Sequence, residues 1–275
     1  MGGALHAPSS VRALLEKFGL RADKSFGQNF LVDIHALQAI VTAADLTRDE
    51  TVLEVGPGLG VLTRELALRA GRVVSVELDR RLLEPLKETV GDAANLELRF
   101  GDAMTFDLGE LPERSVLVAN LPYNIATGLI VRALESGRFT RLVVMVQKEV
   151  AERLTAAAGT PQYGAVSLMT RHFAEARVVR NVAPGSFYPP PEVTSSIVRL
   201  DVRPEARPEP ELFDLVKDAF RHRRKTLAKN LQMAGYERER VNGALASLGL
   251  DSRVRGEQLD LETYRNLQRE LHARA

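Results

Sequence analysis

Cysteine is absent from all 275 residues. Its absence excludes a disulfide framework, a thiolate metal site and a cysteine nucleophile together. Long apolar runs are missing too. The clearest one, Leu142-Val143-Val144-Met145-Val146, falls far short of the roughly 18 residues that suggest a membrane span. The first residues show no signal-peptide pattern, and His6 stands where a myristoylation signal needs Ser or Thr. A cytoplasmic protein with no membrane association is the expectation. Charge of one sign is not in excess, since 37 Lys and Arg against 36 Asp and Glu leave a net charge of +1. Nucleic-acid contact must therefore rest on a local patch. There is no HExxH, no P-loop lysine and no clear metal-ligand cluster, so no metal is expected. The chemistry left open depends on positioning more than on acid, base or metal groups.

What is present is ordinary globular composition, 45% hydrophobic, enough for one large core and a small second unit. Strands alternating with helices through about residue 150 predict a doubly wound α/β sheet, whose ligands bind at the carboxyl ends of the strands. Thr51-Val52-Leu53-Glu54-Val55 reads as a buried parallel strand, Gly56-Pro57-Gly58-Leu59-Gly60 as a tight turn, and Val61 to Leu68 as a helix. Bare backbone at Gly56, Gly58 and Gly60 suits close approach by a nucleotide-like ligand. The spacing is G-x-G-x-G, not the dinucleotide G-x-G-x-x-G, and leans toward an amino-acid carboxylate over a pyrophosphate.

Upstream, Ser9 or Ser10 can cap a helix from Val11 to Phe18 that Gly19 ends, and Asp33 can cap another running through Ala44. Between them lies Lys24-Ser25-Phe26-Gly27-Gln28-Asn29-Phe30-Leu31, either a surface connection anchored by its phenylalanines or a lid over the glycine loop.

Glu77 closes the next strand about 20 residues past the first glycine, where a carboxylate can accept both hydroxyls of a ribose. Asp102, after the strand Asn95 to Phe100, is placed to accept an adenine amine, although alone it reads as a turn cap. The strand Ser115 to Ala119 runs into Asn120-Leu121-Pro122-Tyr123-Asn124. Pro122 biases Leu121 toward an extended conformation, leaving the Asn120 side chain and the Leu121 carbonyl free to face one small group, with Tyr123 as a flat plate beside them. Two acceptors and an aromatic face suit an exocyclic amine on a planar base. Phe187-Tyr188-Pro189-Pro190-Pro191-Glu192-Val193 is a stiff loop, in which Phe187 is expected to close the second face of that base. His172 reads as a surface helix residue.

Arg203 to Pro210 is rich in proline and charge and marks the domain boundary, followed by a helical tail. Within it the stretch from Ala219 to Leu231 carries Arg221, Arg223, Arg224, Lys225 and Lys229, with His222, and no acid. Read as a helix lacking i,i+4 acidic partners, it favours an external polyanion.

In order and together, Phe26 to Leu31, Glu54 to Gly60, Glu77-Leu78-Asp79, Gly101-Asp102-Ala103, Asn120 to Tyr123 and Phe187 to Ser195 make the sequence, over nearly its whole length, resemble the ribosomal RNA adenine dimethyltransferases. The resemblance implies a class I S-adenosylmethionine-dependent methyltransferase fold, Rossmann-like with a mostly parallel sheet and helices on both faces, plus a small all-α C-terminal domain. The implied domains are 1–203, including a helical and lid segment 9–44, and 204–275 for RNA binding. The implied cofactor is S-adenosylmethionine, contacted at Asn29, Leu31, Gly56, Glu77, Asp102 and Asn120, and Gln28, Gly58, Gly60, Leu78 and Ala103 are expected to bind it beside them. The implied catalytic residues are Asn120, Leu121, Pro122, Tyr123 and Phe187, acting on small-subunit rRNA or an assembling 30S particle, with the protein a monomer. Three alternatives stand beside this: a large-subunit adenine methyltransferase of the macrolide-resistance type, a nicotinamide-dependent oxidoreductase, and an assembly factor whose methylation is secondary.

Overall fold

The computed structural model describes residues 6–23 and 26–273. Lys24 and Ser25, where the suggested lid begins, lie outside the described residues. The chain forms two units, Met1–Ala151 with Ala174–Pro204, and Glu152–Phe173 with Glu205–Ala275.

The first unit begins with α1 (Pro8–Lys17), for which Ala7 is the N-cap. Ser9 and Ser10 are inside the helix and do not cap it, because Pro8, with φ already fixed and no N–H to lose, takes the first helical position. Gly19 ends the segment with φ +64°. A two-residue strand β1 (Phe30–Leu31) leads to α2 (Ile34–Ala44), where the Asp33 carboxylate accepts from the N–H groups of His35 and Ala36, as the sequence predicts. Then follow β2 (Thr51–Val55), α3 (Val61–Ala67), β3 (Arg72–Glu77), α4 (Leu83–Val90), β4 (Leu96–Phe100), β5 (Ser115–Asn120), α5 (Ala126–Glu135) and β6 (Phe139–Gln147). The chain continues through α6 (Lys148–Thr155), α7 (Ala165–Phe173), β7 (Ala174–Val182), β8 (Phe187–Tyr188) and β9 (Ser195–Val202).

The main sheet has the order β4-β3-β2-β5-β6-β9-β7. Its first five strands are parallel; β9 runs antiparallel to both β6 and β7. The chain winds outward from β2 to β3 and β4, then returns to β5 on the other side. The carboxyl ends of β2 and β5 therefore flank the point where strand order reverses, the place where such sheets bind ligands. Val116 to Ala119 are fully buried, as a strand covered by helices on both faces requires. A separate two-stranded sheet pairs Phe30 with Tyr188 and Leu31 with Phe187. The sequence reads both segments as loops, because two residues carry no periodicity.

The second unit is helical. It joins the end of α6 and all of α7 to α8 (Pro210–Ala219), α9 (Leu227–Met233), α10 (Arg238–Ser247) and α11 (Leu261–Ala273). The sequence boundary at 203/204 leaves 152–173 with the first unit. The structure assigns this segment to the second, because Ala156, Tyr163 and Leu168 share a core with Leu212, Leu215, Val216 and Leu267. The basic stretch is not one helix either. Residues 220–226 form a turn between α8 and α9 that is exposed from Arg221 to Lys225, and Thr226 caps α9 through the Lys229 N–H.

Candidate active site

A cavity of about 250 Å³ opens where β2, β3 and β5 end. Gly56, Gly58 and Gly60 border or adjoin its floor with φ of +69°, +61° and +82°, conformations that L side chains rarely adopt. A Cβ on Gly60 would sit 2.8 Å from Thr89 Oγ1 and 2.9 Å from Val90 Cγ1, so here glycine is needed for space as well as conformation.

Glu77 is only 7% exposed. One carboxylate oxygen accepts from the Gly58 N–H at 3.2 Å and the other from the Asp79 N–H at 2.9 Å. Burial pushes its carboxyl above the ordinary value, and those two N–H groups pull the other way. The side chain thus locks the glycine loop to the end of β3, and each oxygen keeps a lone pair for an incoming hydroxyl. Leu78, an apolar side chain left 55% exposed, stands beside it on the cavity wall. Asp102, exposed, accepts from the Met104 N–H at 2.8 Å, and Ala103 follows it on the wall.

From the N-terminal side, Phe26 to Leu31 line the same cavity. Gln28 donates to the Asp79 carboxylate at 2.8 Å and accepts from the Asp23 N–H at 2.9 Å. Asp79 is buried, yet hydrogen bonds from Arg81 and Gln28 outweigh that burial and hold its carboxyl below the usual value. This brace of Gln28, Asp79 and Arg81 was not singled out as such from sequence. Its only signals are the acid following Glu77 and the Arg two positions beyond it.

At the end of β5, Asn120 Nδ2 donates to the Asn29 carbonyl at 3.2 Å, leaving Oδ1 as the amide's remaining acceptor. Leu121, with its side chain buried, is anchored by its N–H to the Met145 carbonyl at 3.1 Å. Pro122 packs close to the glycines, since a Cβ on Gly27 or Gly56 would lie 3.5 or 3.6 Å from its ring. Tyr123 is half-buried, its hydroxyl 2.8 Å from Ser195 Oγ. Burial raises its pKa, so it remains a neutral phenol near pH 7.

Three expectations need correction. Phe187 is not on the cavity wall: it is 3% exposed and packs in the core with Leu31, Leu37 and Ile40, so in this structure it closes no second face. Its pairing with Leu31 turns it inward. His172 is buried and not a surface residue. It lies edge-on to Phe173 and Phe213, with Nε2 against the Arg207 carbonyl and Nδ1 accepting from Arg265. Third, Arg221 is not without an acidic partner, since it pairs with Asp218 at 3.3 Å, and Arg223 donates to the Pro161 carbonyl at 2.6 Å. Arg224, Lys225 and Lys229 are exposed, as is His222.

Sequence reasoning passed over Glu54. It is 1% exposed, and one carboxylate oxygen accepts from Ser75 Oγ at 2.6 Å, while the other is buried and, among the described residues, within hydrogen-bonding geometry of none. Burial pushes its pKa up to about 7.

A strand-order reversal bordered by a glycine loop, a buried strand-end acid and an amide-bearing turn is a Rossmann-like arrangement, and two solved structures with which the chain aligns at TM-scores of 0.69 and above are methyltransferases. A family model described as Ribosomal RNA adenine dimethylase matches residues 19–271. A Deinococcus radiodurans protein named Ribosomal RNA small subunit methyltransferase A is 44% identical over 262 residues, covering 95% of this chain and 89% of that protein. One of the same name from Pelotomaculum thermopropionicum is 41% identical over 280 residues, 95% of each. Among solved structures, a dimethyladenosine transferase from Plasmodium falciparum aligns with a TM-score of 0.77 at 29% identity, covering 89% of this chain and 98% of that one. The 23S rRNA methyltransferase ErmE aligns with a TM-score of 0.69 at 31% identity, covering 89% and 100%. The chain belongs to the ribosomal RNA adenine dimethylase family.

Proposed function

We propose that the chain transfers methyl groups from S-adenosylmethionine to the exocyclic N6 of two adjacent adenosines near the 3′ end of small-subunit rRNA, giving N6,N6-dimethyladenosine. The observation that carries this reading is the convergence of the Gly56–Gly60 loop, Glu77, Asp102 and Asn120–Tyr123 on one cavity. Relatives named for the small subunit, up to 44% identical, support that subunit over the large one. They also weigh against a nicotinamide-dependent oxidoreductase.

The residues fit the cofactor. Bare glycine backbone offers room for its amino-acid end, Glu77 keeps free lone pairs for ribose hydroxyls, Leu78 offers an apolar face, and the exposed Asp102 carboxylate can accept from an adenine amine. Gln28, Asn29 and Leu31 would cover it from the N-terminal side. Bound there, S-adenosylmethionine supplies an electrophilic methyl carbon on a sulfonium sulfur.

The target nitrogen is a poor nucleophile, because its lone pair is delocalised into the adenine ring. Asn120 Oδ1 and the Leu121 carbonyl would accept its N–H groups and favour a pyramidal nitrogen. Tyr123, fixed by Ser195, would hold the ring and stabilise the charge it gains. Water can take the released proton, so no dedicated base is needed. A monomethylated amine still carries one N–H for the same acceptors, which permits the second transfer. The exposed cations of the 220–226 turn and Lys229 would meet RNA phosphates.

Labelled S-adenosylmethionine, incubated separately with unmodified small- and large-subunit RNA and followed by nucleoside analysis, tests the proposal. Label in dimethyladenosine from the small subunit is expected. Label only in large-subunit RNA contradicts it.

A further inference from the structure

A second concavity, about 420 Å³, lies on the first unit and shares no lining residue with the active-site cavity. One wall is the exposed stripe His35, Gln38 and Thr42 of α2, at helical spacing i, i+3, i+7; the other is the edge strand β7 with Arg177 and Arg180. Arg199 of β9 also borders it. The lining holds three arginines and a histidine and no acid.

The arginines differ in how they are used. Arg199 is committed, with its guanidinium on Asp201 at 2.7 Å and on the Ala43 carbonyl at 2.8 Å. Arg177 and Arg180 are exposed and, among the described residues, make no hydrogen bond or ion pair; Arg180 has only a longer-range attraction to Asp33. Arg177 stands directly opposite Arg199 in the β7–β9 ladder, a like-charge pairing that is unfavourable by itself. A register shift between Val178 and Arg180 breaks the alternation of β7, so that Arg177 and Arg180 both border the groove when strict alternation would set them on opposite faces. Charged residues on an edge strand can serve only to block strand pairing. That role does not require the two cations to share a concavity with a polar helix stripe.

We infer that this groove binds the sugar–phosphate backbone of the substrate RNA, at a place separate from the reacting base. The inference rests on the RNA-methylating function proposed above. Free guanidinium groups suit phosphate oxygens, and Gln38, Thr42 and His35 offer further polar groups to sugars and phosphates. No Phe, Tyr or Trp lines the groove and its two free groups of full charge are guanidiniums, so the contact is assigned to backbone and not to base identity. β7 is four strands from β2, roughly 19 Å along the sheet, which extends the RNA footprint well beyond one nucleotide.

The test is equilibrium binding of a small-subunit rRNA fragment across a salt series, using the parent, Arg177→Gln/Arg180→Gln and Arg177→Lys/Arg180→Lys. The Gln variant should bind about tenfold more weakly at low salt, with a log–log salt slope shallower by about 1.5, as loss of two phosphate contacts requires. The Lys variant should keep most of the slope, and S-adenosylmethionine affinity should stay at the parental value in both. A second variant on the opposite wall, Gln38→Glu/Thr42→Glu, should weaken RNA binding by repulsion without touching the edge strand. Equal affinity and slope for parent and variants overturns the inference while leaving the RNA-methylating function intact. Weaker binding to small-subunit particles with an unchanged slope on naked RNA overturns it in favour of a protein contact. If the parent itself binds no rRNA, the function on which it rests has failed first.

Discussion

Tyr123, half-buried, and Glu54, fully buried, show how differently two polar side chains border one cavity. The Tyr123 hydroxyl is held by Ser195, but the face of its ring is what a base would use. Tyr123→Phe, which keeps the face and loses the tether, is predicted to cost less than about tenfold in the methyl-transfer rate, whereas Tyr123→Ala costs at least about a hundredfold. Single-turnover rates check this. Glu54 has a pKa raised by burial to about 7, against an ordinary 4.5. Between those values the folded protein holds a proton that the unfolded chain has released, so stability falls as pH rises, by on the order of 3 kcal/mol if this carboxyl acts alone. Glu54→Gln should flatten that part of the stability–pH curve, as read from denaturation midpoints between pH 4.5 and 8. An unchanged slope would show that Glu54 titrates at its ordinary value.

The glycine loop was legible in the sequence because a buried strand, a glycine turn and a helix are one continuous local pattern. Its consequences are local too. Gly60→Ala would place a methyl group 2.8 Å from Thr89 Oγ1 at φ +82°, and is predicted to lower stability by about 1–3 kcal/mol and to weaken cofactor binding. Gly185→Ala, with nothing within 4 Å and no positive φ, should change neither. Denaturant midpoints and cofactor titration of the two variants decide it. Strand-end placements of Glu77, Asp102 and Asn120 were equally legible. The pairing of Phe30–Leu31 with Phe187–Tyr188 was not, because two-residue strands more than 150 residues apart leave no period to read. That unseen pairing is why Phe187 turned out to be a core residue. Likewise the 220–226 turn looked helical because its basic run sits between two genuine helical patterns.

At the scale of the whole chain, the misplaced element is the segment 152–173. Its apolar residues could be recognised from sequence, but their partners begin some 40 residues later, past the proline-rich linker. His172 was misjudged for the same reason, since Phe213 and Arg265 bury it. A chain ending at Arg203 would keep Tyr163 and Leu168 without Leu212, Leu215 or Leu267, and would remove the Leu259 carbonyl that accepts from the Tyr163 hydroxyl at 3.0 Å. It is predicted to self-associate, seen as a larger species on size-exclusion chromatography than its mass allows. A well-behaved monomer would contradict the assignment of 152–173 to the second unit. In the proposed function labour is divided within the first unit: the glycine loop with Glu77 would seat the cofactor, and Asn120 with its neighbours would direct the methyl transfer. The most direct test is to measure S-adenosylmethionine affinity and single-turnover methyl transfer to small-subunit rRNA on Asn120→Ala and the parent. The account predicts cofactor affinity within a few-fold of the parent and transfer slower by about 10²–10³. Near-parental transfer by Asn120→Ala would contradict it.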